Sequence, residues 1–560
     1  MAISGRFLYL VILPLLLSVI VLGVVLSVTS NVWDSFAGTS EREKRYLEYQ
    51  RSASARKGPG EQGEPYQPPG NTFENKGIVN VLASDAIAVD RTIKDFRHGS
   101  CMVLRYGALP SASVIVAYDV EAFSVLMRTL HSVVNRSPPR YLKEVLLVPF
   151  GKTTGLAEII SAVQKYWPEG PVRVVSHNAL NGLYEARSQG AEEAKGDVLV
   201  FLDPHCEVGD GWLEPLLQAI GRHPNIVAVP VEDKIATDTL AHTESPTERT
   251  GGIFWKFAMS WRPLSEAEKK ARKSPIEPIK TPIISGDVFA VAAKFFMSLG
   301  GFRSEMRTRG VELEFSYKTW MCGGFLLIFP CSRVAHLAHS QDAYNKMSIE
   351  TEEKALIQLA EVWMDEYRRL FYMYRKYILS QPWGGDFAQE HLLQSRQKCN
   401  SFGWYVDYVY PEKFMPDENV YSWGVVRNPF TEMCLSIPPT KTTELPKLGD
   451  VVSKVICDHS GNMDQTFSYT FDKTIRQEEY CLNSDGGNNS PLTMVDCRLD
   501  LDTSKWDYNK EDCMVKHVKS GLCLSSTGKK TTPTLTLEPC VNQTKNQIWT
   551  FLYYLNVPLT

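Results

Sequence analysis

Asp203 and His205 stand two residues apart, directly after the apolar run Val198-Leu-Val-Phe-Leu202. A run of that length and kind reads as a buried strand. Pro204 cannot continue a central ladder, so the strand is expected to stop there. Residues just past the carboxyl end of such a strand lie where open α/β sheets bind ligands. A carboxylate oxygen and a neutral imidazole that reach one point there suit a divalent transition metal such as Mn²⁺. The plainer alternative is that Asp203 opens a turn and His205 is only a loop residue. On the tripeptide alone the plainer alternative is the favoured one.

The elements that must position this pair precede it. Ser113–Ala117, Val145–Val148 and Val172–Val175 read as strands, and Val198–Leu202 as the fourth. Between them, Glu121–Asn135 carries helical apolar spacing at Phe123, Leu126, Leu130 and Val133, and Leu156–Tyr166 is a second helix. Alternation of this kind indicates a mostly parallel sheet with helices on its faces, and a nucleotide-binding α/β domain. Leu359–Tyr374 is a further helical stretch.

After about Tyr410 the chain repeats itself. Cys434-Leu435, Cys481-Leu482 and Cys523-Leu524 each open a unit, Cys457, Cys497 and Cys540 follow, and Phe467, Trp506 and Trp549 stand near the ends. Repeat logic pairs 434 with 457, 481 with 497 and 523 with 540, and leaves Cys513 over. Three such units resemble a ricin-type lectin, a β-trefoil, expected over residues 421–560. Sugar-binding repeats of that type carry aspartate after Cys-Leu, where this chain has Ser436, Asn483 and Ser525. The unit around Asn483 and Asp485 is the one candidate for a glycan site, against the alternative of a trefoil that binds no sugar.

The stretch Leu202-Asp-Pro-His-Cys-Glu207 followed by Gly211-Trp-Leu-Glu-Pro-Leu-Leu217 resembles the metal-binding core of polypeptide N-acetylgalactosaminyltransferases. Leu130–Pro138, Trp320-Met-Cys-Gly-Gly324 and Leu359–Glu366 match that family in the same order. The resemblance implies a GT-A catalytic domain over residues 98–410 ahead of the trefoil. It implies a retaining transfer of N-acetylgalactosamine from UDP-GalNAc to Ser or Thr of proteins, with Asp203 and His205 at the catalytic centre. In Pro330–Leu337 it makes His336 the third metal ligand, although by itself a lone histidine is more often a buried or surface imidazole. It also implies nucleotide-sugar contacts at Tyr344 and at His339, which replaces an arginine. The segment Gly251-Gly-Ile-Phe-Trp-Lys256, with Trp261, resembles an acceptor-peptide wall; core packing of Trp255 is an equal alternative. The twelve cysteines suit an oxidising compartment, and the resemblance pairs Cys101 with Cys331 and Cys322 with Cys399. Cys206 is then expected as a free thiol, too soft a ligand for Mn²⁺.

Departures from the family cluster at the donor side. An acidic run at the end of the second strand is Val148-Pro-Phe-Gly151 here. Phe-His-Asn-Glu-Ala is Tyr118-Asp-Val-Glu-Ala122, and two arginines fall on Leu180 and Glu185. Trp-Gly-Gly-Glu-Asn becomes Thr308-Arg-Gly-Val-Glu312. Each lost charged contact to a phosphate or ribose is worth roughly 1.5–3 kcal/mol. A non-catalytic Golgi relative acting by binding is therefore the competing expectation, with a transferase of another donor between the two.

The amino terminus bears on location. Residues 1–6 read as a cytoplasmic tail, and Phe7–Val28, apolar and uncharged, is long enough to span a bilayer as a signal anchor. A single-pass type II orientation, with the rest in the Golgi lumen, follows from the short tail and the family. Residues 29–97, rich in charge, Gly and Pro, read as a flexible stem. The net charge of −4 gives no reason to expect nucleic acid. The sequons at Asn135, Asn488 and Asn542 suit a luminal chain; Pro138 makes the first a poor acceptor.

Overall fold

The computed structural model describes residues 40–70, 79–151, 155–175, 180, 182–302, 310–337, 349–380, 387–438, 448–458, 462–487, 490–526 and 535–555. The expected tail and the anchor Phe7–Val28 lie outside them. Among the described residues no helix is long and apolar enough to cross a membrane.

Twelve strands build the first domain: β1 Ala112–Tyr118, β2 Leu142–Pro149, β3 Val172–Val174, β4 Val198–Leu202, β5 Cys206–Val208, β6 Ile226–Ile235, β7 His242–Thr243, β8 Arg249–Ile253, β9 Met259–Pro263, β10 Ile279–Lys280, β11 Val288–Ala292 and β12 Phe325–Leu337. The main sheet runs β10-β12-β6-β11-β4-β1-β2-β3, with β5 beside β12 and β7 beside β6. The β3-β2-β1-β4 half is parallel, as the alternating pattern predicts. The other half is mixed, because β11 inserts antiparallel to both β4 and β6. Every residue of β1 and β4 is buried, which is why these strands are apolar without alternation. Helices Phe123–Arg136 and Leu156–Tyr166 form close to their expected limits.

Two expectations are corrected. The described part of residues 29–97 is a packed strap, not a flexible stem. Helix Glu41–Ser52 is capped by Ser40, and Arg42 and Gln50 donate to the carbonyls of Leu142 and Asn135. Arg91, fully enclosed, meets Glu207 in a bidentate pair with contacts of 2.7 and 2.9 Å. Charge-rich composition here signals pairing with a folded surface, not solvation. The stretch Leu359–Tyr374 is also not one helix. Helix Ile349–Trp363 stops, and Asp365, at φ 45, turns its carboxylate to the Phe402 N–H at 2.7 Å before Arg368–Met373 resumes.

The second domain begins at strand Val420–Asn428. Each repeat supplies an antiparallel pair: Met433–Ser436 with Ser453–Ile456, Tyr480–Asn483 with Thr493–Asp496, and Cys523–Ser525 with Thr536–Glu538. The repeat leucines Leu435, Leu482 and Leu524 meet Phe467, Trp506 and Trp549 in one core. The Trp506 and Trp549 indoles donate to the carbonyls of Leu482 and Leu524 at 2.9 and 3.0 Å. All five expected disulfides are formed, namely 101–331, 322–399, 434–457, 481–497 and 523–540. Cys206 and Cys513 are free thiols.

Candidate functional site

The β4 strand ends where Pro204 withholds an N–H, and the Asp203 N–H turns to the Asp287 carbonyl at 3.0 Å. Two residues on, His205 enters β5. Antiparallel pairing sets His336 of β12 opposite Cys206, and the Leu337 N–H closes on the His205 carbonyl at 3.1 Å. That register carries a histidine from 131 residues away to the strand end. The His205 and His336 Nε2 atoms lie 3.0 Å apart. The Asp203 Oδ2 is 3.9 Å from the first and 3.6 Å from the second. Asp203, His205 and His336 are the one group of three such side chains, among the described residues, whose ligand atoms converge in this way. The Cys101–Cys331 disulfide fastens β12 five residues before His336.

Glu121 and Arg187 hold two of the three, His205 and Asp203, in place. Glu121, just past the end of β1, lies 3.2 Å from His205 Nδ1. With that nitrogen donating to the carboxylate, Nε2 presents its lone pair to the centre. Arg187 donates to Asp203 Oδ1 at 2.7 Å, leaving Oδ2 for the centre. Burial opposes charge on Asp203, but the His336 bond and Arg187 outweigh it and hold the carboxyl at about 2. Burial likewise opposes a charged His336, yet Asp287 and Asp203 raise it to about 9. A field negative enough to hold a proton on a buried imidazole, with two ring nitrogens and a carboxylate oxygen converging, fits a divalent cation of the Mn²⁺ kind. The Cys206 thiol is pushed well up by burial and is core.

Further acids surround the centre. Burial, then Asp287, raises Glu232 to about 8, and Ser285 donates to it. Burial raises Glu312 to about 7, with the Tyr184 hydroxyl donating to it. Gly286 adopts φ 89 and packs on Glu312 so closely that a Cβ there would overlap the Glu312 Cγ. Sequence reasoning placed Glu121 and Glu312 only as departures and missed Arg187, Asp287 and Glu232. An acid just past a strand end was the available signal for Glu121. Nothing local marked the others.

The remaining expected positions divide. Tyr344, His339, Thr308 and Asn488 lie outside the described residues. Leu180 and Val311 are buried in the core. At the end of β2, where a carboxylate was missed, Gly151 packs on Asp119; a Cβ there would lie 2.7 Å from its carboxylate. Asp119 thus places an acid beside that strand end from β1. Trp255 is corrected as a peptide wall: it is 2% exposed, with its indole N–H on the Phe414 carbonyl at 2.8 Å. The half-buried ring of that segment is Trp261. Asn483 is corrected as a sugar contact, since its side chain is enclosed, and the exposed polar group of that unit is Asp485. Asn542 is exposed, as a glycosylation acceptor must be.

Residues 113–291 match the model of glycosyl transferase family 2, and residues 422–549 match the ricin-type beta-trefoil lectin domain. The chain is 35% identical over 516 residues to the probable N-acetylgalactosaminyltransferase 9 of Caenorhabditis elegans, covering 89% of this chain and 87% of that one. It is 34% identical over 481 residues to the polypeptide N-acetylgalactosaminyltransferase 14 of Homo sapiens, covering 84% and 85%. A crystal structure of GalNAc-T7 with UDP, GalNAc and Mn²⁺ aligns with a TM-score of 0.67 at 30% identity, over 89% of this chain and 93% of that one.

Proposed function

Because the chain belongs to the polypeptide N-acetylgalactosaminyltransferase family, we propose that it transfers N-acetylgalactosamine from UDP-GalNAc to Ser or Thr of proteins, with retention. The convergence of Asp203, His205 and His336 carries the reading. Asp203, His205 and His336 would hold Mn²⁺, which would supply Lewis-acid stabilisation to the diphosphate that leaves. The protein's own part is orientation. Arg187 fixes the rotamer and charge of Asp203, and Glu121 fixes the tautomer of His205. Asp119 beside Gly151 is the acid available to a nucleotide at the ends of β1 and β2. The β8–β9 hairpin, with Trp261 half-buried, is the acceptor side.

One observation favours the second reading, a non-catalytic relative that binds without transfer. Leu180 and Val311 are core residues, so neither replaces a charged donor contact. Calorimetry with UDP, with Mn²⁺ and with a chelator, joined to a transfer assay on a Ser/Thr peptide, separates the two. Metal-dependent UDP binding with transfer supports the enzyme. UDP binding that is equal in chelator, with no transfer, refutes it.

The Golgi and type II assignments rest on Phe7–Val28 and on the disulfides, which need an oxidising lumen. Protease added to intact microsomes should spare the trefoil; its digestion without detergent would overturn that topology.

A further inference from the structure

A wholly buried ion pair ties the trefoil to the segment that joins it to the first domain, and the same carboxylate reaches the first domain itself. Glu478 sits at φ 51 in the turn between strands Ile475–Gln477 and Tyr480–Asn483. Its side chain leaves the trefoil altogether. Oε1 accepts the backbone N–H of Trp255 at 2.6 Å, and Oε2 accepts Lys413 Nζ at 2.5 Å. The Glu478 side chain is 0% exposed and that of Lys413 2%. The Lys413 ammonium also lies over the rings of Phe254 and Trp255, 5.6 and 5.1 Å from their centroids. Phe254 in turn stacks on Tyr480 of the trefoil at 6.0 Å.

The clamped residues are the turn of the β8–β9 hairpin, closed by the Phe254 N–H on the Ala258 carbonyl at 2.9 Å. The hairpin is gripped elsewhere too. Arg375 donates to the Lys256 carbonyl at 3.0 Å, and a Cβ on Gly252 would lie 2.8 Å from the Tyr410 hydroxyl. An apolar contact could hold two domains together without the desolvation cost of a buried pair. What the pair adds is direction. Only one seat of the trefoil gives Glu478 both the Lys413 ammonium and the Trp255 N–H, and any other strands two buried charges.

We propose that Glu478 is a positioning residue: it locks the trefoil in one orientation and thereby fixes the β8–β9 hairpin against which the acceptor peptide is read. The peptide half of this rests on the transferase reading above; the lock itself does not. The trefoil then acts on acceptor choice without touching the peptide, and the chain works as one body instead of two hinged ones.

The test uses the full chain in detergent, as wild type, Glu478→Ala, Glu478→Gln and Lys413→Met/Glu478→Gln. Amide exchange is followed at Trp255, along residues 249–262 and in the β1 strand, beside steady-state kinetics. In Glu478→Ala the Trp255 amide should exchange about ten-fold faster or more, with β1 unchanged. KM for a Ser/Thr peptide should rise about ten-fold, while kcat and KM for UDP-GalNAc stay within about two-fold. The double variant, which removes both charges together, should recover most of the protection. Should Glu478→Ala fail to fold, Glu478→Gln gives the same reading with a smaller change, since it strands only the lysine. An unchanged Trp255 amide, or protection lost equally in β1, overturns the lock. A freed hairpin with an unchanged peptide KM overturns the effect on the acceptor. A wild type that glycosylates no peptide refutes the transferase reading and the peptide half with it, and the exchange data then decide the lock alone.

Discussion

Replacing Glu121 by alanine should weaken Mn²⁺ binding without removing any ligand. The carboxylate stands 3.2 Å from His205 Nδ1 and is 2% exposed, so water does not compete for that bond. Hydrogen bonds to a charged group are worth about 1.5–3 kcal/mol. Without the carboxylate, His205 loses the bond that sets its tautomer, and its proton can move to Nε2, which faces His336. The expected loss in metal affinity is about 10–100-fold, the range found when an outer partner of a ligating histidine is removed. Glu121→Gln, whose amide oxygen still accepts from Nδ1, should lose less. Titration of Mn²⁺ followed by the electron paramagnetic resonance of the free ion measures both, at constant UDP, with His205→Ala as the lower limit. An affinity for Glu121→Ala within two-fold of wild type would refute the orienting role. So would a Glu121→Gln as weak as His205→Ala.

Asp203→Ala and His336→Ala should each abolish Mn²⁺ binding and metal-dependent UDP binding in the same titration, since either leaves two ligands of three; a His336→Ala chain that binds normally removes it from the ligand set. Asp233→Asn should cost about 3–5 kcal/mol at neutral pH in urea unfolding, by breaking a buried pair with Arg333. Burial opposes the Asp233 charge, but Arg333 and His242 outweigh it and set its pKa below the ordinary 3.8. The stabilisation is thus present above that value and lost as pH falls through the lowered one, so wild type and variant should converge in acid. Cys481→Ser/Cys497→Ser, which opens a loop of 16 residues, should cost the trefoil about 3 kcal/mol of unfolding free energy. Alkylation of the native chain should label Cys513 and spare Cys206, which is buried; labelling at Cys206 before unfolding would contradict its place in the core.

Local pattern carried the strands, because β1, β4 and the Val145–Val148 part of β2 are buried on both faces and so are written as nearly unbroken apolar runs. It carried the end of β4, through Pro204, and the three trefoil units, through recurring Cys-Leu and aromatic closers. It misread the strap, since Arg91 and Arg42, charges that would solvate a linker, pair with Glu207 and the Leu142 carbonyl once a surface is there to meet them. Trp255 and Asn483 were misplaced for a related reason: whether a side chain faces water depends on what packs over it, and in Trp255 the cover includes the carbonyl of Phe414, distant in sequence.

By itself the sequence determined the element types, the position of Asp203 and His205 at a strand end, and the repeat that pairs the trefoil cysteines, because each is encoded within a few residues. Only the tertiary structure decided that His336 faces them, through the β12–β5 register. It alone placed Arg187, Asp287 and Glu232 around the centre and drove Glu478 into the neighbouring domain. These are pairings between residues far apart in the chain. Their energies depend on burial and on the distance between charges, neither of which exists until the chain has closed around them.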